Sequence, residues 1–287
     1  MKIRVPASSA NIGPGFDSMG IAVSLYLEVE VLGASSHWQI DHDLGDLPHD
    51  ENNMIAATAR TVAPGIAPQH LKVTTRIPVT HGLGSSSSAI VAGIELADQL
   101  QQLGLSKEEK VEIASKMEGH PDNVAPAILG GLVVGTQVKG RFSAIEAPLL
   151  PYAMVAYIPA YNLRTADARA ALPKELSYKQ ATHASAIANT LVAALFSKDY
   201  EVAGRMMEAD LFHEQYRKPL VPELTKIRGI GHRTGALATF LSGAGPTVMT
   251  IIPQDKVDGF VSALREAGLS DRVERLQPDT QGAVVIK

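Results

Sequence analysis

Cysteine is missing from all 287 residues, which excludes disulfides, thiolate nucleophiles and cysteine metal ligands together. Positive charge is not in excess: 26 Lys and Arg stand against 30 Asp and Glu, a formal net charge of −4. No basic field exists to hold nucleic acid by counterion release, so no nucleic-acid partner is expected. Long apolar runs are missing too. No uncharged stretch of about 20 residues could span a bilayer, so no membrane association is expected. The opening residues, Met1 to Pro6, lack the apolar core of a secretory leader. These absences together lead to the expectation of a cytoplasmic protein. What is present is an ordinary globular composition, 45% apolar and 20% charged, in a chain long enough for one large or two modest domains.

Hydrophobic periodicity orders the elements. Met19 to Val31 alternates and is rich in β-branched residues, which predicts a strand. The acidic stretch from Asp41 to Asn53 reads as a loop, with Asn53 capping a helix from Met54 to Val62. Leu71 to Ile77 alternates again and stops at Pro78, as a strand should. A glycine–serine segment follows, then a helix expected from about Ala89. Ser106 and Glu109 fit a capping box for the next helix. A short helix after Asn123 and an apolar strand, Leu132 to Val138, complete this half. Residues 139–151 show little periodicity, and the domain boundary is placed there, giving residues 1–150 and 151–287. The second half is expected to hold a strand (Met154 to Ile158), helices (Tyr178 to Ser197, Tyr200 to Glu208) and two short strands flanking a glycine turn at Ser242–Thr247. A further helix and two C-terminal strands make the chain α+β.

Two clusters carry chemistry. Gly82-Leu83-Gly84-Ser85-Ser86-Ser87-Ser88 lies between a strand and a helix, where backbone N–H groups and the helix dipole favour phosphate. It is neither a P-loop, since no lysine follows a glycine, nor a dinucleotide fingerprint, since serine replaces the third glycine. Glu118 to Asn123 groups two carboxylates, an imidazole and an amide within six residues. Mg²⁺ takes oxygen ligands, commonly one or two carboxylates with substrate phosphates, and Glu118 with a loop serine makes an incomplete shell of that kind.

Taken together, Pro6 to Asp17 (PASSANIGPGFD), Gly82 to Ala89 (GLGSSSSA) and Leu241 to Thr247 (LSGAGPT) resemble, in order, the three motifs of the GHMP kinase superfamily. The first of them, with Glu118–Pro126 and Thr165–Pro173, is similar to the homoserine kinase branch. Thr80-His81 departs from the small residues common before Gly-Leu-Gly. The resemblance implies a two-domain α+β fold, its N-terminal half like a ribosomal-protein domain and its C-terminal half a ferredoxin-like α/β sandwich. It implies ATP-dependent phosphorylation of the side-chain hydroxyl of L-homoserine, with ATP and Mg²⁺ as cofactors and a homodimer as the common assembly. It also assigns roles. Pro78, Gly82, Leu83, Gly84, Ser85, Ser86, Ser87 and Ser88 would bind the nucleotide, and Ser86 and Glu118 would hold Mg²⁺. Asn11, Asp17, His120, Asp122, Asn123, Arg169 and Arg217 would line the acceptor pocket, with Asn123, Asp122 and Arg169 closest to catalysis.

Residue chemistry agrees with that assignment. Homoserine is a zwitterion, so its pocket needs a cation and an anion. Arg169 can take a carboxylate bidentately and Arg217 is a second contact, while Asp17 or Asp122 can face the ammonium. An amide at Asn123 cannot accept a proton, which favours alignment and charge stabilisation over general-base catalysis, with Asp122 the rival base. Lys2, Arg4, Arg60 and Arg141 are the candidates for a cation at the γ-phosphate. The competing readings are a GHMP kinase for another acceptor, such as mevalonate or shikimate, a non-enzymatic nucleotide-binding module, and a metal hydrolase built on His37, His42 and His49.

Overall fold

The computed structural model describes residues 1–286. Their strands form two sheets. The larger is built on β1 (Lys2–Ala10) and the long β2 (Met19–Ala34), with β3 (Gln39–Asp41) and β4 (Gln69–Thr75) on one side. β5 (Leu132–Val138) pairs with the start of β2 and with β6 (Arg141–Ala147). The smaller sheet is antiparallel in the order β10 (Arg272–Leu276), β7 (Ala153–Ile158), β9 (Val248–Ile252) and β8 (Ala238–Leu241).

Helices α1 (Met54–Val62), α2 (Ser85–Gln101), α3 (Lys107–Glu118) and α4 (Val124–Leu129) belong to the first half. α5 (Thr165–Ala170), α6 (Tyr178–Ser197), α7 (Tyr200–Met207), α8 (Glu214–Arg217), α9 (Glu223–Thr234) and α10 (Val257–Glu266) belong to the second. Local chemistry sets several ends where the sequence predicts them. Asn53 accepts from the Ile55 N–H at the start of α1, and Ser106 with Glu109 forms the capping box of α3. One apolar core joins the large sheet to the near face of the small one, through Ile21, Leu191, Met207, Phe240 and Met249. A second lies on the far face, where Leu224, Ile227 and Phe260 of α9 and α10 pack on Val155 and Val248.

Three expectations are corrected. α2 starts at Ser85 rather than Ala89, so the serines form its first turn behind a left-handed Gly84 (φ 68°). Serine is a weak helix former, but in a first turn the N–H groups need no helical partner. The segment 141–147, inside the expected boundary, is strand β6. Its alternation is muted because Phe142 and Ala144 are only half-buried while Ser143 and Ile145 are exposed. Finally, the chain does not divide cleanly at 150. β11 (Val284–Ile286) returns to pair with β1, and Gln277 and Pro278 join β2, so the last residues belong to the first half.

Candidate active site

The glycine turn Ser242–Thr247, between β8 and β9, ties the other two motifs together. Ser242 Oγ donates to the Gly82 carbonyl (2.6 Å) and shares a hydrogen bond with Ser9 Oγ (2.8 Å). Thr247 Oγ1 donates to the His81 carbonyl (2.6 Å), and the Gly243 N–H donates to the Ala10 carbonyl (3.1 Å). Gly82 must be glycine: its φ is +74°, and a Cβ there would lie 2.3 Å from the Ser242 carbonyl oxygen. The three motifs therefore converge on one cleft of about 370 Å³.

Gly82, Gly84, Ser85, Ser86 and Ser87 line the cleft at the N-terminus of the 17-residue α2, where N–H groups and the helix dipole favour an anion. Pro78, Leu83 and Ser88 do not line it. Leu83 is wholly buried in the core below the loop, Ser88 folds its hydroxyl back onto the Ser85 carbonyl, and Pro78 sits past the end of β4, outside the cleft. Ser87, not Ser86, faces Glu118, donating its hydroxyl to Oε1 at 3.1 Å; Ser86 Oγ points to Met54 Sδ. Burial raises the pKa of the Glu118 carboxyl, and the His120 charge and Ser87 hydroxyl offset this only in part. Among the described residues Glu118 has no ion-pair partner, so a half-buried carboxylate flanks the glycine–serine loop with only the Ser87 hydroxyl bonded to it. That donor set fits a hard divalent cation.

Part of the lining is apolar. Leu27, Val73, Met54 and, from the Asp41–Asn53 loop, Leu44, Leu47 and Pro48 form it. This loop therefore borders the site instead of merely being solvated. His42 and His49 stack at 4.0 Å and bond backbone carbonyls, while His37 bonds Ser36 and Gln39, so the three do not form a metal cluster. Lys2, Arg4, Arg60 and Arg141 all lie outside the cleft. Lys2 pairs with Glu28, Arg4 lies over the Tyr26 ring, Arg60 bonds the Glu51 carbonyl and Arg141 is exposed on β6.

Asn11, Asp17, His120, Asp122, Asn123, Arg169 and Arg217 gather around the remaining wall. Asn11 and Arg217 both donate to the Gly243 carbonyl, each at 3.0 Å, and the Asp17 N–H donates to Asn11 Oδ1. Arg169 Nη2 donates to Asp17 Oδ1 at 3.1 Å, so a cation from α5 meets an anion from the β1–β2 loop. Arg217 is fully buried, and its pKa falls to about 10, chiefly through burial and then through the nearby Arg169 charge. His120 donates through Nδ1 to the buried Asp122. Burial disfavours the charged imidazole, but Asp122, with Asp17 and Glu118 beyond it, outweighs that and raises the His120 pKa. Asn123 Oδ1 accepts from Ser8 Oγ (2.9 Å), which fixes the amide's orientation.

Sequence reasoning passes over two residues here. Phe16 lies under the guanidinium groups of Arg169 and Arg217, at 5.7 and 5.2 Å from its centroid, and His213 stacks on it. The one available signal is the i, i+4 spacing of His213 and Arg217 on one helical face.

Profiles of the GHMP kinases N terminal domain and C terminal domain match residues 53–131 and 191–269. The homoserine kinase of Lactobacillus acidophilus is 61% identical over the whole of both chains. The chain belongs to the homoserine kinase family. The Limosilactobacillus fermentum homoserine kinase is also 61% identical, over 99% of this chain and all of its own. The solved homoserine kinase of Cytophaga hutchinsonii superposes with a TM-score of 0.87 at 28% identity, covering 100% of this chain and 97% of that one. A mevalonate kinase of Methanococcus jannaschii shares the fold alone, with a TM-score of 0.74 at 15% identity, covering 97% of this chain and 98% of that one. The enzyme is thus a kinase of the two-domain α+β type that its motifs indicate.

Proposed function

We propose that this enzyme transfers the γ-phosphoryl group of ATP to the side-chain hydroxyl of L-homoserine, forming O-phospho-L-homoserine for threonine biosynthesis. The observation that carries the choice of acceptor is the Asp17–Arg169 pair. A zwitterionic amino acid can take both groups, its carboxylate replacing Asp17 on Arg169 and its ammonium replacing Arg169 on Asp17. Mevalonate and shikimate have no ammonium group, and with either of them Asp17 would face a second anion across the cleft. A homodimer belongs to this reading through family resemblance, and a cytoplasmic location through the expectation drawn from the sequence.

The chain's own part is positioning and charge. The first turn of α2 and Gly82–Gly84 present N–H groups to the phosphates. Glu118 and a hydroxyl of that turn, Ser86 or Ser87, would hold Mg²⁺, which when bound supplies charge neutralisation at the phosphates. Asn123, held by Ser8, orients the acceptor hydroxyl. Its oxygen bonds to the γ-phosphorus as the bond to the bridging oxygen breaks, and its proton passes to the transferred phosphate. Asp122 is a poor base because its carboxylate is already engaged by His120.

A coupled ADP-release assay with homoserine, mevalonate and shikimate tests the reading. Turnover is expected with homoserine alone. Arg169→Ala should raise the homoserine KM about 10–100-fold, the loss of a charge-assisted hydrogen bond, with little change in the ATP KM. Faster turnover of either other acid, or an unchanged homoserine KM in the variant, would refute the assignment.

A further inference from the structure

We propose that His213 is a positioning residue for the acceptor: through one fixed tautomer it sets the spacing between the first motif and Arg217. The inference rests on the homoserine kinase reading above and adds to it a residue that touches neither substrate nor phosphate.

Three observations carry it. His213 is completely buried at the start of α8, so both ring nitrogens must be satisfied within the protein. Nε2 lies 3.0 Å from the Gly13 carbonyl, which can only accept, so Nε2 bears the hydrogen. Nδ1 lies 3.2 Å from Arg217 Nη1, which can only donate, so Nδ1 is bare. Only the neutral Nε2–H imidazole satisfies both bonds. Asp210 stands 3.6 Å from Nε2 and also accepts from the backbone N–H groups of Phe212, His213 and Glu214, which holds the ring from behind. Phe16 covers one face of the ring.

What this bridge holds is a backbone that does not hold itself. Asn11, Ile12 and Gly13 are consecutive left-handed residues, with φ of 73°, 48° and 74°. Asparagine tolerates that conformation, but it is strained for β-branched isoleucine at Ile12 and persists there only where surrounding contacts impose it. Gly13 itself is pressed against the Met207 carbonyl, which a Cβ would meet at 2.0 Å. The same turn delivers Asn11, Phe16 and Asp17 to the acceptor wall. Arg217, at the other end of the bridge, reaches the Gly243 carbonyl that Asn11 also uses. His213 thus closes a ring of hydrogen bonds whose members set where the anion-binding and cation-binding groups stand.

Steady-state kinetics of the full chain with His213→Leu, His213→Asn and His213→Gln, alongside the unmodified enzyme, tests this. Leucine removes both bonds. Asparagine keeps an acceptor near the Nδ1 place, and glutamine keeps a donor near the Nε2 place. The leucine variant is expected to raise the homoserine KM at least 30-fold with the ATP KM within twofold. The two amides should each recover part of the loss, to within about tenfold of the unmodified enzyme. If the leucine variant does not fold, the amide variants carry the same split between the two KM values. Equal rises in both KM values, or lower kcat with both unchanged, would overturn the positioning role. Absence of homoserine turnover by the unmodified chain would instead sink the reading beneath it, and the proposal with it.

Discussion

Glu118→Gln is expected to leave a folded protein whose turnover is about 10³-fold lower, the scale of losing one preorganised electrostatic contributor at a charge-developing centre. The side chain keeps its shape and its hydrogen bond from Ser87 but loses the charge that would hold a divalent cation. Stability should move the other way. Burial raises the Glu118 pKa in the folded chain, so its ionised form opposes folding. That opposition grows as pH rises through 4.5 to the folded value and is complete above both. At pH 8 the uncharged glutamine is therefore expected to match or exceed the unmodified thermal midpoint. Lower activity accompanied by a lower midpoint would mean the substitution disrupts packing, and the cation-holding role would lose its support. Ser86→Ala and Ser87→Ala, measured by the Mg²⁺ concentration giving half-maximal rate, separate the two hydroxyls: the one that holds the cation shifts that concentration upward.

Gly20→Ala should cost about 3 kcal/mol, the upper end for overpacking a filled site, and lower the thermal midpoint by roughly 6–12 °C. Gly20 sits in β2 between Ala10 and Val133, in ordinary extended backbone, so conformational freedom is not its reason. Space is. A Cβ would stand 1.6 Å from the Asp122 carbonyl oxygen and 3.1 Å from Pro126 Cγ. The added methyl must push the Glu118–Asn123 segment off the sheet, carrying Asp122 and Asn123 away from the acceptor wall. The midpoint is read by calorimetry, and the homoserine KM should rise as the midpoint falls. A variant with an unchanged midpoint and KM would show that this segment is free to shift outward.

Legibility followed the physics of each signal. Caps are local and carry their own chemistry, so Asn53, Ser106 and the helix bounds at Tyr178 and Ser197 are readable from a few residues. The three glycine motifs are readable too, and the structure brings them together. The hairpin strand β6 is not, because before its buried last residue only Phe142 and Ala144 are even half-buried and its alternation is weak. The return of β11 to β1 is a long-range pairing that no window of sequence contains. At the site, residue types were visible but orientation was not. Four adjacent serines are alike in sequence, and only the helix phase turns Ser87 to Glu118, Ser86 to Met54 and Ser88 back on itself. His213 escaped notice because its work is done through buried bonds to a distant backbone carbonyl.

The turn at Ser242–Thr247 has a consequence for how a substrate gets in. It is pinned by hydrogen bonds to Ala10 on one side and to His81 and Gly82 on the other, so the small sheet cannot swing away from the phosphate loop as a lid would. Admission then falls to the Arg169–Asp17 contact, half-exposed and joining two different halves of the chain. On the proposed function, an arriving amino acid would open that latch by exchanging partners, charge for charge, and an acceptor with one charge only would leave half of it shut.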